Sequence, residues 1–160
     1  ENVQPLPFAE MRDDYAMLNG RGYPDTVNTA FTGPLTPAGD PTQVEHSLIE
    51  ATQGPRVLLR ISNISITRYF TLQSLGIPMT VVGRDARLLR GPGGQNMYYD
   101  TNSVTLGGGE TNDVILDTAG IAPGTYFLYT TNLNYLNNGE QERGGMMTEI
   151  IIHPAGALLN

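Results

Sequence analysis

The stretch that decides the fold reads Gly124-Thr-Tyr-Phe-Leu-Tyr-Thr-Thr-Asn132 and resumes, after a polar loop, as Arg143-Gly-Gly-Met-Met-Thr-Glu-Ile-Ile-Ile-His153. Aromatic and β-branched residues, which favour strands, are abundant in both parts. We therefore predict one strand over residues 126–131 and another over residues 147–152. Alternate side chains of the first strand should pack in a core.

Short strands separated by turns account for most of the remaining chain. The 19 Gly and 11 Pro residues lie between short apolar runs, and helical periodicity is weak throughout. Val57, Leu59 and Ile61 alternate with more polar neighbours, as a half-buried strand requires. The other predicted strands cover residues 15–18, 44–51, 56–61, 68–72, 79–82, 103–106 and 113–117. This spacing predicts an all-β sandwich or barrel.

Composition excludes several classes of function. The 160 residues suit one domain, which should bury roughly 70% of the surface of its unfolded chain. The absence of Cys excludes disulfides, thiolate metal sites and a Cys nucleophile. A net charge of −7, with nine Arg, no Lys and 16 acidic residues, disfavours nucleic acid and anionic membranes as partners. No apolar run approaches the about 20 residues of a membrane helix.

Three segments depart from the strand-and-turn pattern. Residues 26–42 are rich in Thr, Gly and Pro, which predicts either an ordered surface excursion or a mobile loop. Residues 1–14, with two prolines, are predicted to be an extended linker, and residues 154–160 resemble the start of another. The predicted domain therefore covers residues 15–153.

Four stretches, taken in order, resemble the second, central domain of three-domain multicopper oxidases. They are Leu18-Asn-Gly-Arg-Gly-Tyr-Pro-Asp25, Gly54-Pro-Arg-Val-Leu-Leu-Arg-Ile-Ser-Asn63, residues 67–85, and Leu106-Gly-Gly-Gly-Glu-Thr-Asn-Asp-Val-Ile-Leu-Asp117. The closing stretch is similar to the end of a cupredoxin domain, where an aromatic strand leads into a His-Cys-His cluster and a Gly-Met-Met turn opens the last strand. The resemblance implies a Greek-key β-sandwich or barrel of the cupredoxin type with seven to nine strands.

The same resemblance marks the positions at which that family binds copper. A blue-copper site needs two imidazoles, a thiolate and often a weak thioether ligand. The residues at those positions here are Ile77, Thr130, Thr131, Asn132, Gln141 and Met146. Only Met146 resembles its family counterpart, and the His-x-His pairs of a trinuclear centre are missing. The resemblance thus implies a copper-free domain without catalytic, cofactor-binding or metal-binding residues, as expected of the central domain.

The two histidines do not suggest another metal site. His46 lies in an alternating run and His153 ends the last predicted strand, so we interpret both as ordinary strand histidines. A zinc site normally needs three or four ligands. We therefore predict no metal here, although an enzyme using some other metal is an alternative that elemental analysis would exclude.

Aromatic residues in loop-like stretches are candidates for contact surfaces. These residues are Met97, Tyr98, Tyr99 and Tyr135. We expect them to dock against neighbouring cupredoxin domains of the same or another chain, with a homo-oligomer as a further possibility.

Two functional hypotheses follow. In the first, the chain is a structural domain that holds copper-bearing domains in place, within an extracellular, periplasmic or cell-surface protein. That parent protein would contain copper and would be an oxidoreductase, whereas this domain alone would not be an enzyme. In the second, the chain is an extracellular binding or filament-forming module that self-associates.

Overall fold

The computed structural model describes residues 10–31 and 33–159, and these residues form ten strands in two sheets. In chain order the strands are β1 (Ile49–Thr52), β2 (Arg56–Ser62), β3 (Phe70–Leu75), β4 (Met79–Arg84), β5 (Arg87–Leu88), β6 (Tyr99–Thr101), β7 (Ser103–Leu106), β8 (Thr111–Asp117), β9 (Gly124–Thr130) and β10 (Met147–His153). One sheet has the order β1-β10-β9-β3-β7. The other has the order β2-β8-β4-β5, with β6 also paired to β4. A short 3-10 helix spans Leu133–Tyr135.

The core lies between the two sheets and follows from the alternation of side chains along the strands. In β8 and β10 every second residue is buried. Val114 and Leu116 of β8 face Ile150 and Ile152 of β10 within one apolar cluster. This packing confirms the predicted all-β sandwich.

Eight of the nine predicted strands overlap observed strands, and residues 15–18 are the exception. Two of the eight begin later than predicted, since β1 begins at Ile49 and not at residue 44, and β3 begins at Phe70 and not at residue 68. In residues 15–18 the main chain of Ala16 bonds to a side chain instead of a strand: its N–H donates to Asn138 Oδ1 at 2.9 Å, and its carbonyl accepts from Asn138 Nδ2 at 3.1 Å. Leu18 makes a single bridge to Arg21. The short strands β5 and β6 were not predicted, which raises the number of strands to ten.

The excursion over residues 26–42 is organised around the guanidinium of Arg21. This side chain is 2% exposed. It donates to the carbonyls of Asp25 at 2.9 Å, Asn28 at 2.8 Å, Phe31 at 2.8 Å and Gln43 at 3.3 Å, and it lies 5.0 Å from the centre of the Phe31 ring. A buried cation is costly unless polar groups surround it, and here carbonyl dipoles take that role. The arrangement favours the ordered alternative for this segment.

Hydrogen bonds of Tyr23 and Thr26 join this region to β10 and to the segment before β1. Thr26 Oγ1 donates to the carbonyl of Met147 at 2.8 Å, and the N–H of Ser47 donates to the carbonyl of Thr26 at 2.7 Å. The Tyr23 hydroxyl donates to Glu149 Oε1 at 2.9 Å, and this bond, with a smaller effect of burial, raises the pKa of Tyr23. The bond therefore stabilises the fold at neutral pH and is lost as pH rises through that raised pKa.

Replacing Arg21 by Met should lower the free energy of unfolding by about 3 kcal/mol, because four carbonyls would lose a charged donor. Urea unfolding followed by circular dichroism measures this change. The matched control is Arg84→Met at an exposed position, which should have little effect. Equal unfolding midpoints for the two variants would contradict the role of Arg21.

Candidate functional site

The end of β9 and the start of β10 bring together two of the residues that the sequence resemblance places at copper positions. Thr130 is fully buried and Met146 is 5% exposed. The N–H of Thr130 donates to the carbonyl of Met146 at 3.0 Å, so a main-chain hydrogen bond joins the two positions. Thr130 also pairs with Leu72 of β3. Both residues are therefore buried in the sandwich core.

Thr131 and Asn132, which follow Thr130 in the sequence, are exposed. The N–H of Thr131 donates to the carbonyl of Thr71 at 2.9 Å. Asn132 caps the 3-10 helix, since its Oδ1 accepts from the N–H of Asn134 at 3.1 Å. Hydrogen bonds thus hold both residues at the surface, outside the core.

Ile77 and Gln141 lie apart from Thr130 and Met146. Ile77 is 1% exposed and follows β3, whose residue Leu75 pairs with Phe127, whereas Thr130 pairs with Leu72. Three residues of a strand span about 10 Å, so Ile77 and Thr130 lie toward opposite ends of the β3–β9 pair. Gln141 is exposed in the β9–β10 loop, where its main chain bonds to Asn138.

The donor groups at these positions do not fit a copper ion. Ile77 offers only hydrocarbon, and Thr130 and Met146 offer one hydroxyl and one thioether, whereas blue-copper chemistry requires imidazoles and a thiolate. The Thr130 hydroxyl is buried without a hydrogen-bond partner among the described residues. Across residues 10–31 and 33–159, no group of three or more His, Cys, Asp or Glu side chains could hold a metal ion.

The two histidines occupy separate surface positions. His46 is exposed and precedes β1, and its carbonyl accepts from Asn19 Nδ2 at 3.3 Å. His153, at the far end of the β1–β10 pair, lies with its Nε2 3.0 Å from Glu50 Oε1. They cannot contribute to a common ligand set in this arrangement.

Three of the four predicted contact residues lie in or just before β6, along the edge of the second sheet beside β4. Met97 is 60% and Tyr99 is 47% exposed. The Arg90 guanidinium lies 4.6 Å from the centre of the Tyr98 ring, a cation–π contact. Leu88, 64% exposed, belongs to the neighbouring strand and was not predicted. We call Leu88, Met97, Tyr98 and Tyr99 the β6 patch.

The fourth candidate, Tyr135, has a different environment. It is half-buried, and its ring meets that of Phe70 edge to face, with centroids 5.1 Å apart. Its carbonyl accepts from the N–H of Met146 at 2.8 Å. Tyr135 therefore packs at the edge of the core and fastens the β9–β10 loop.

A groove of about 850 Å³ opens between the sheets beside β2. One side consists of β2, and the other consists of residues 15–20 and 46–49. Phe70, Leu72, Leu128 and Met146 line its floor. We call this the β2 groove. The sequence alone does not predict this groove, because its walls come from segments that are distant in sequence.

A sequence model described as "Multicopper oxidase" matches residues 5–155, nearly the whole chain. The chain belongs to the multicopper oxidase family. This finding confirms the predicted family and disfavours a free-standing self-associating module. No curated protein matches the sequence.

Solved multicopper oxidase structures share the fold. The blue copper oxidase from Nitrosomonas europaea aligns with a TM-score of 0.54 at 21% identity, over 65% of this chain and 30% of that one. A mutant of the laccase from B. aclada gives a TM-score of 0.53 at 18% identity, over 80% and 22%. A laccase from Pediococcus acidilactici gives 0.52 at 19% identity, over 74% and 22%. The cupredoxin-type sandwich is thereby confirmed, and the chain spans less than a third of each of these structures.

The buried Thr130 hydroxyl gives a test of how this multicopper oxidase domain packs. Thr130→Val should raise the free energy of unfolding by up to about 1 kcal/mol, because it removes a buried polar atom without a partner. Thr148→Val is the matched control, since Thr148 is equally buried but its Oγ1 donates to the Ser47 carbonyl at 2.8 Å. Thr148→Val should lower the free energy of unfolding by about 1 kcal/mol. Equal destabilisation of both variants in urea would indicate that Thr130 has an unrecognised partner.

Proposed function

We propose that this chain is a copper-free structural domain of a multicopper oxidase-like protein and holds neighbouring copper-bearing domains in place. The supporting observation is the filled position at the end of β9. There a main-chain hydrogen bond joins Thr130 to Met146, and both side chains are buried in the core. Neither residue supplies the imidazole or thiolate that a blue-copper site requires.

Rigidity is the physical property that such a role requires. The relative position of two copper-bearing domains is preserved only if the domain between them does not deform. A sandwich whose sheets are hydrogen-bonded and closely packed deforms little, because protein interiors have low compressibility. The loop between β9 and β10 is fastened by bonds of Tyr135 and Leu136 to Met146 and Gly145. This position, where related domains place ligands, is thus occupied by a fixed structural element.

The β6 patch is the surface we assign to contact with a neighbouring domain. Exposed aromatic and methionine side chains are enriched where proteins meet, because each buries a large apolar area. Met97, Tyr99 and Leu88 are all strongly exposed in this domain alone. A neighbouring domain packed there would remove them from water.

The parent protein, on this proposal, is a copper-containing oxidoreductase that acts outside the cytoplasm, in the periplasm or at the cell surface. Among the described residues no helix is long and apolar enough to cross a membrane. The family match supports neighbouring cupredoxin domains as partners. The acidic surface agrees with partners other than nucleic acid.

Copper added to the isolated chain should give no intense visible absorption and no tightly held stoichiometric ion, because the chain has no thiolate. Absorption spectroscopy and elemental analysis after gel filtration measure this. The control is the double variant His46→Ala with His153→Ala, which should lose any weak copper held by the exposed imidazoles. One copper per chain retained by that variant would refute a copper-free domain.

In the parent polypeptide, Met97→Ser combined with Tyr99→Ser should loosen the contact between domains. Proteolysis between domains should accelerate about tenfold, since that factor corresponds to about 1.4 kcal/mol of interface free energy. The isolated domain should keep its unfolding midpoint, because both residues are exposed there. Ile66→Ser, at a 73% exposed position outside the β6 patch, is the control. An unchanged rate for the double variant would place the contact elsewhere.

A further inference from the structure

The edge of β2 presents main-chain groups that no other described residue uses. Among residues 10–31 and 33–159, β2 is the last strand of its sheet and pairs only with β8. The N–H of Asn63, just after β2, donates to the carbonyl of Glu110 just before β8, so residue 63 directs its main chain toward β8. At the other end, the carbonyl of Pro55 accepts from Thr118 Oγ1 after β8.

Alternation along the strand then fixes the direction of every main-chain group in β2. Because residues 55 and 63 face β8, the odd-numbered residues between them also face β8. The N–H and C=O groups of Leu58 and Arg60 therefore point to the free edge. None of these groups has a hydrogen-bond partner among residues 10–31 and 33–159.

The side chains of β2 leave this edge uncovered. Arg60 lies beside Asp113 at 3.6 Å and Arg56 beside Asp117 at 3.1 Å, and both carboxylates belong to β8. These ion pairs turn the long side chains toward β8 and away from the free edge. Natural edge strands are usually blunted by charged residues, prolines or bulges. β2 instead presents Leu58, which is 51% exposed.

The β2 groove lies against this same edge and is apolar. Its floor contains Phe70, Leu72 and Leu128 from the opposite sheet. Its rim contains four exposed large hydrophobic residues. These residues are Tyr15, Met17, Leu58 and Ile64. Exposed apolar side chains beside an apolar groove favour this place as an interaction site.

We propose that the β2 edge binds one extended polypeptide strand, which adds to the sheet and places alternate apolar side chains in the β2 groove. Main-chain hydrogen bonds would supply affinity, and the groove would select the side chains, as in other cases of strand addition. The seven residues of β2 offer an edge of about 23 Å. The net charge of −7 favours approach of a basic strand over an acidic one at long range. This inference does not depend on the proposed copper-free role.

Amide hydrogen exchange of the chain, measured by NMR with and without a peptide, tests the inference. The probe is acetylated Lys-Val-Thr-Val-Lys-Val-Thr-Val-Lys amide, which alternates apolar with polar or basic residues. At a peptide concentration about ten times its Kd, exchange of the Leu58 and Arg60 amides should slow about tenfold. The amide of Leu59, which faces β8, should change little.

Two controls separate strand addition from simple filling of an apolar groove. The same peptide with every main-chain amide N-methylated keeps its side chains but has no N–H group to donate to the ladder, so it should give no protection. Leu58→Pro removes one free-edge N–H without removing a bond to β8 and should weaken binding, whereas Leu58→Val should not. If Leu58→Pro does not fold, the comparison of the two peptides still decides the question.

Several outcomes would overturn the proposal. Equal binding of the N-methylated peptide would indicate an apolar-ligand groove rather than a strand site. Protection of Leu58 and Arg60 without peptide, increasing with chain concentration, would identify a second copy as the occupant. Protection without peptide at every concentration would mean that the chain covers its own edge. Absence of protection at millimolar peptide would also exclude the site.

Discussion

The pairing of β9 with β10 on one edge and β3 on the other is the constraint on which the described structure depends. It sets the register that directs Leu128 and Thr130 into the core. It also fixes where the chain leaves the sheet, and therefore where the β9–β10 loop returns at Met146. The place of the β9–β10 loop and the burial of Thr130 both follow from this pairing.

At two of the positions that the sequence resemblance assigns to copper, the side chains are buried in the core. Thr130 is nearly the size of a small apolar residue, and its burial fills space at the cost of one unpaired hydroxyl. Met146 has a flexible side chain that adapts to irregular gaps in a core. Met146 therefore contributes apolar contact with the cluster around it.

Features set by local alternation could be predicted from the sequence, and features set by distant contacts could not. The strands from Val57 to Ile61 and from Met147 onward follow the period of two that burial of one face imposes. The segment at Ala16 departs from prediction because Asn138, 122 residues away, supplies its hydrogen bonds. The family resemblance likewise gave the sequence positions of the expected copper ligands but not their distances in space. It could not show that Ile77 and Thr130 lie toward opposite ends of the β3–β9 pair. Arg21 carried no local signal of its four carbonyl partners, since those carbonyls converge only after the excursion has folded.

The parallel pairing of β1 with β10 has a consequence for how this polypeptide matures. Residue 49 pairs with residue 150, and Tyr23 and Thr26 bond to Glu149 and Met147. Contacts of such high sequence separation form slowly, because chain entropy must be lost before they add stability. During synthesis on the ribosome, β1, Tyr23 and Thr26 cannot form these contacts until the last strand leaves the exit tunnel. Completion of the fold is therefore a late event, and the apolar faces of β2 and β8 must remain free of wrong partners until then.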